Sequence, residues 1–95
     1  MTDLETKINK NKEMSWREAG DNVVLTDKLK GKFYKLNETE AMIWKLSDGK
    51  RTVVDIVKEV IYKKYSRVKS RKLEANINRI VDNMVKNGFL KLANI

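Results

Sequence analysis

The apolar positions of the chain change period once, near Leu36. Before that point they fall in short runs rich in β-branched and aromatic residues: Ser15-Trp16-Arg17-Glu18, Val23-Val24-Leu25-Thr26 and Lys32-Phe33-Tyr34-Lys35-Leu36. Gly20-Asp21-Asn22 separates the first two runs, and Asp27 to Gly31 separates the last two. Runs of this length between turn-forming residues predict a three-stranded antiparallel meander. After Leu36 the spacing becomes helical. Asn37 followed by Glu40 has the form of a capping box, with Leu36 and Ala41 placed as a hydrophobic staple. This first helix carries Ala41, Ile43, Trp44 and Leu46, and is expected to stop at Asp48-Gly49, with glycine in the left-handed position after the cap.

A second helix is predicted from Thr52, with Asp55 three residues on. Val53, Ile56, Val57, Val60 and Ile61 follow the i, i+3, i+4, i+7, i+8 pattern. All five are β-branched, which favours a strand, but the spacing and the length decide for a helix. A third helix begins at Ser70 and lines up Leu73, Ile77, Ile80, Val81 and Met84. It ends at Asn87-Gly88, after which Phe89-Leu90-Lys91-Leu92 reads as a closing strand or an apolar tail. Strands followed by helices predict an α+β fold, a small domain with a three-stranded antiparallel sheet followed by three helices. The domain runs over residues 14–95. Residues 1–13, in which Leu4 and Ile8 are the only sizeable apolar groups after Met1, read as a charged flexible N-terminal tail.

Composition narrows the function. Among 95 residues there is no cysteine, histidine or proline. Disulfides, thiol and imidazole catalysis and the common zinc sites are thereby excluded. With no histidine, a nucleophile would need a carboxylate or lysine as its base, and no such pair stands out. The acids at Glu38, Glu40 and Asp48 sit where helix caps need them, and the glycines form no phosphate-binding motif. An enzyme is not expected, nor a cofactor. No apolar stretch reaches the roughly 18–20 residues of a membrane span, and no signal-peptide pattern follows Met1. A cytoplasmic location without a membrane partner is the expectation.

The net charge of +8 points to an acidic partner. Seven cations between Lys58 and Lys72 (Lys58, Lys63, Lys64, Arg67, Lys69, Arg71 and Lys72) face Glu59 alone. They read as a solvated surface, as a docking site for an acidic peptide or as a phosphate footprint. On the third helix Lys72, Asn76, Arg79, Asn83 and Lys86 form a second stripe beside the apolar one. Arginine and asparagine can read base edges, so a winged-helix nucleic-acid-binding module using this helix is the alternative function. Against it, only seven residues follow the helix, too few for a two-stranded wing. The run Lys32–Leu36 closes the meander and leads into the first helix, which suits a sheet edge. Edge strands carry unpaired main-chain groups that an extended peptide can use. The same edge would allow a dimer as well as a monomer.

These residues also resemble a known family. Trp16-Arg17, Val23-Val24-Leu25, Gly31-x-Phe33-Tyr34-x-Leu36-Asn37-x-Thr39-x-Ala41-x-Ile43-Trp44, Asp48-Gly49-x-Arg51-Thr52-Val53-x-Asp55-Ile56-Val57 and Asn87-Gly88-Phe89-Leu90 are similar to the PqqD-like family, also called the RiPP recognition element. The resemblance runs from Trp16 to Leu92. It implies a winged-helix-like fold of three strands and three helices. It also implies a non-catalytic adaptor that binds the leader segment of a ribosomally made precursor peptide and presents it to a modifying enzyme, a radical SAM protein or a leader peptidase. In that family the leader adds to the third strand and lies against the third helix. Carried over, the strand is Lys32, Phe33, Tyr34, Lys35 and Leu36, and the helix face is drawn from Lys72, Asn76, Arg79, Ile80 and Asn83. The basic junction before the third helix and the charged N-terminal segment depart from the family pattern.

Overall fold

The meander forms as its alternation predicts, but a second sheet accompanies it. A computed structural model describes residues 4–66 and 70–93. The elements are β1 (Lys7–Lys10), β2 (Met14–Ala19), β3 (Asn22–Asp27), β4 (Lys32–Leu36), α1 (Glu38–Leu46), β5 (Asp48–Thr52), α2 (Val53–Lys64), α3 (Arg71–Lys86) and β6 (Leu90–Leu92). One antiparallel sheet has the order β2-β3-β4 and the other the order β5-β1-β6. In the first, Trp16 faces Leu25, and Leu25 in turn faces Tyr34. Val23, Leu25 and Leu36 point to the core, while Val24, Phe33 and Lys35 take the opposite face, the alternation that a one-sided sheet requires.

The helix starts follow their sequence signals. Asn37 and Glu40 make both bonds of a capping box on α1, and Thr52 and Asp55 do the same on α2. Ser70 caps α3 by accepting from the Leu73 N–H at 3.2 Å. The end of α3 is a Schellman motif: Gly88 takes φ +80°, its N–H donates to Val85 O, and the Phe89 N–H donates to Met84 O. α1 ends differently from expectation. Its last carbonyls are taken by Ser47, whose N–H donates to Ile43 and Trp44 and whose Oγ donates to Ile43 O at 2.7 Å. Asp48-Gly49 is therefore not the helix stop but the beginning of β5.

The segment 1–13 is the main correction. Residues 1–3 lie outside the described residues, but Lys7–Lys10 is the central strand of the second sheet, paired to β5 and β6. One inward residue suffices there: Ile8 is 0% exposed. Two flanking strands satisfy the backbone on both sides, so low overall hydrophobicity does not prevent order. The C-terminal run Phe89–Leu92 contributes β6, which resolves its ambiguity in favour of a strand.

Ile8, Val23, Leu25, Ile43, Trp44, Ile56, Val60, Ile77, Val81 and Leu90 belong to one continuous core. Trp44 joins the two sheets. Its ring meets Trp16 of β2 edge-on at 6.1 Å, and Lys10 of β1 places its ammonium 5.8 Å from the Trp44 centroid and 5.9 Å from that of Trp16. The same ammonium donates to Ser47 O at 3.0 Å, capping the negative end of α1. Burial lowers the pKa of Lys10, and the charge of Asp48 partly opposes that effect. Among the described residues no helix is long and apolar enough to cross a membrane.

Candidate functional site

β4 ends its sheet: it hydrogen-bonds to β3 on one side and no described strand borders the other. Its main-chain groups on the open side are available to an added strand. Its side chains divide by parity. Leu36 is buried and Tyr34 half-buried on the core side, while Phe33, 73% exposed, and Lys35 look outward. Leu36 can thus offer only its backbone to a ligand, whereas Lys32, Phe33 and Lys35 offer side chains as well.

Tyr34 leads from this edge toward the third helix. Its ring packs on Phe89 at 5.0 Å between centroids, tilted by 57°. Phe89 follows directly on the Schellman turn of α3, so the positive φ of Gly88 aims the aromatic ring at β4. Phe89 is not among the residues expected at this edge, although the Asn87-Gly88-Phe89-Leu90 run is its signal in the sequence. α3 packs on α2, α1 and β6 through Ile77, Val81 and Met84. Ile80 and Leu73 are half-buried beside them on the same core.

The predicted helix residues are distributed as an amphipathic helix dictates. Lys72, Asn76, Arg79 and Asn83 are all exposed, as is Lys86, while Ile80 is half-buried. The helix stripe therefore faces solvent. β6, the one strand after α3, pairs with β1 and not with a second strand of a wing. A wing in the position a helix-three DNA reader needs is absent among the described residues.

The basic segment before α3 is more scattered than its sequence density suggests. Lys63 pairs with Glu59 at 3.8 Å, and Lys64 pairs with Glu38 at 3.2 Å while donating to Thr39 Oγ1. Both line a groove with Gly20, Asp21, Met42 and Lys45. Lys58 lines a different cavity of about 220 Å³ with Leu4, Val57, Glu74 and Asn78. Arg67 and Lys69 lie outside the described residues. Helical periodicity separates these cations onto several faces, and among the described ones only Arg71 and Lys72 stand on α3 itself.

Comparisons with known proteins bear on the family and the fold. The family model described as "Coenzyme PQQ synthesis protein D (PqqD)" matches residues 22–90. A solved structure titled "TbiB1 in Complex with the TbiA(beta) Leader Peptide" superposes with a TM-score of 0.71 at 20% identity, covering 87% of this chain and 94% of that one. At that identity the likeness establishes the fold. Among curated proteins, none matches.

Proposed function

From the chain's membership of the PqqD family, whose model covers residues 22–90, we propose that it is a leader-peptide-binding adaptor. The observation that carries this reading is the open edge of β4, backed by the contact of Tyr34 with Phe89, which directly follows the C-terminal turn of α3. An extended leader adds to Lys32–Leu36 as a fourth strand. Main-chain hydrogen bonds give affinity, and alternate side chains of the guest meet Tyr34, Phe89 and Ile80 on one side. A similar fold holds a leader peptide in the TbiB1 structure, as its title states, which supports the same use here.

Charge adds selectivity. Lys32 and Lys35 on the edge strand and Lys72 and Arg79 on α3 favour an acidic guest and speed its encounter. Asn76 and Asn83 supply side-chain hydrogen bonds along the same stripe. The chain performs no chemistry in this reading. It works in the cytoplasm beside a partner that modifies the captured precursor, a radical SAM enzyme or a leader peptidase.

The test is a titration with a fluorescent leader peptide from a precursor encoded near this gene, followed by amide chemical-shift mapping. Saturable binding is expected, with shifts concentrated on β4 and α3. Tyr34→Ala and Arg79→Ala should each weaken binding by about tenfold, a loss of roughly 1.4 kcal/mol, with unchanged circular dichroism. Shifts confined to other elements, or no saturable binding, would overturn the proposal.

A further inference from the structure

The β3–β4 hairpin has a tip that peptide capture does not use, and it runs into the first residues of the strand that capture does use. Its loop reads Lys28-Leu29-Lys30-Gly31, followed by Lys32 and Phe33 at the start of β4. Leu29 is 79% exposed and Phe33 73%, the two most exposed large apolar side chains among the described residues. An apolar protrusion of this kind interleaved with cations marks an interaction surface.

The loop is held in shape. Asp27, 8% exposed, accepts from the N–H groups of Leu29 at 3.0 Å and Lys30 at 3.1 Å through one carboxylate oxygen. The Gly31 N–H donates to Asp27 O at 2.8 Å. The hairpin's own acid is thus folded under the turn, and the tip presents three lysines with no exposed carboxylate of its own. The outward face of the sheet continues the theme. Arg17, Val24 and Lys35 lie in one cross-strand row, and Ser15, Thr26 and Phe33 in the next, with no acid in either.

We propose that this hairpin tip and the outer sheet face dock peripherally on an anionic lipid surface, with Leu29 and Phe33 entering the headgroup boundary and the lysines binding the phosphates. The chemistry of the residues selects this partner. Lysine is depleted from protein–protein interfaces, and leucine is seldom a hot spot there. Lysines could meet nucleic-acid phosphates or guanine, but the most exposed side chain of the tip, Leu29, would have no partner on that charged backbone. Lysines interleaved with leucine and phenylalanine are the composition of interfacial membrane contacts. A protruding tip fits a deformable surface without a shaped receptor, and the ordered turn needs no further ordering on binding. Peripheral docking needs no spanning segment, so it is compatible with the helix lengths while reversing the expectation of no membrane partner.

The lack of native cysteine makes the test simple. Full-length Leu29→Cys is labelled with an environment-sensitive fluorophore, and Glu74→Cys on α3 serves as the reference. Mixed phosphatidylglycerol–phosphatidylcholine vesicles should shift the Leu29 label to the blue and brighten it, while pure phosphatidylcholine vesicles leave it unchanged. The Glu74 label should not respond to either. In vesicle sedimentation, the double change K28Q/K30Q should reduce partitioning by about thirtyfold, from roughly 1 kcal/mol per lysine. Leu29→Glu should reduce it by at least about tenfold. All these residues lie outside the leader site, so leader titration of the same variants should be unchanged. A silent Leu29 label would overturn the proposal, as would vesicle binding indifferent to Leu29→Glu. Leu29-dependent capture of duplex DNA or an acidic protein without vesicle binding would overturn it too. Loss of leader binding alone would count against the adaptor reading and leave this one standing.

Discussion

The two sheets of this domain have the same number of strands and opposite origins. The β2-β3-β4 sheet is built from consecutive segments joined by short turns, so each strand finds its partner next to it in the chain. The β5-β1-β6 sheet gathers the N-terminal segment, the connection between α1 and α2, and the residues after α3. The first leaves an open edge at β4. The second fixes what surrounds that edge: β6 follows α3 and pairs with β1, so the turn that carries Phe89 toward Tyr34 is anchored there. Local pairing creates the open edge, and long-range pairing anchors the turn after α3 that brings Phe89 to Tyr34.

The sharpest way to break this division is to empty the centre of the long-range sheet. Ile8 is fully buried between β5 and β6, and Ile8→Ala should cost about 2–5 kcal/mol in urea denaturation. Leu25→Ala, equally buried in the meander, should cost a similar amount. The two should differ in hydrogen exchange. Ile8→Ala should first release the amides of β1, β5 and β6 while those of β3 stay protected. Equal loss of protection in both sheets would show that they open as one unit and would erase the contrast.

A smaller change probes the joint between β1 and β5. Gly49 has φ +83°, and a Cβ there would stand 3.1 Å from Asn9 Nδ2. Gly49→Ala should therefore lose about 1–3 kcal/mol, from left-handed backbone strain and from displacement of the Asn9 side chain. Adding Asn9→Ala should recover the steric part and leave the backbone part. A single Gly49→Ala variant as stable as the parent, judged by thermal melting, would mean that β5 contributes little to the fold.

This contrast also explains what was legible in the sequence. The meander, the capping residues Asn37, Thr52 and Ser70, and the turn at Asn87-Gly88 are local signals, and the structure realises each where its residues predict it. β1 was not legible, because one buried isoleucine among lysines and asparagines has no periodicity, and its partners lie about 40 and 80 residues away. β5 was hidden for a related reason. Asp48-Gly49 carries a helix-stop signal, and Ser47 does the stopping. The edge position of β4 followed from the chain order, whereas the Tyr34–Phe89 contact depends on how α3 is docked. The dense basic run misleads for the opposite reason: adjacency in sequence is not adjacency in space, and helical periodicity disperses the cations.

The last and smallest effect is a dependence on acid at the start of α2. Asp48 accepts from the N–H groups of Lys50 at 2.9 Å and Arg51 at 3.0 Å, and pairs with the Arg51 guanidinium. Those N–H bonds, chiefly that of Lys50, lower its pKa. Asp55 accepts from the Thr52 N–H at 3.0 Å in the capping box, and that bond lowers its pKa as well. A carboxylate whose folded pKa lies below the ordinary aspartate value of about 3.9 stabilises the fold fully above that value. The contribution disappears as pH falls through the lower, folded pKa. Both groups are exposed to solvent, so the effect is modest and should appear as a shallow loss of stability below about pH 4. Asp48→Asn with Asp55→Asn should flatten that loss in denaturation curves taken between about pH 2 and pH 6. It should also weaken β5 and the first turn of α2 at neutral pH, without altering exchange in the meander. An acid profile unchanged by the pair would place the acid-sensitive contacts elsewhere and detach β5 from the stability of the long-range sheet.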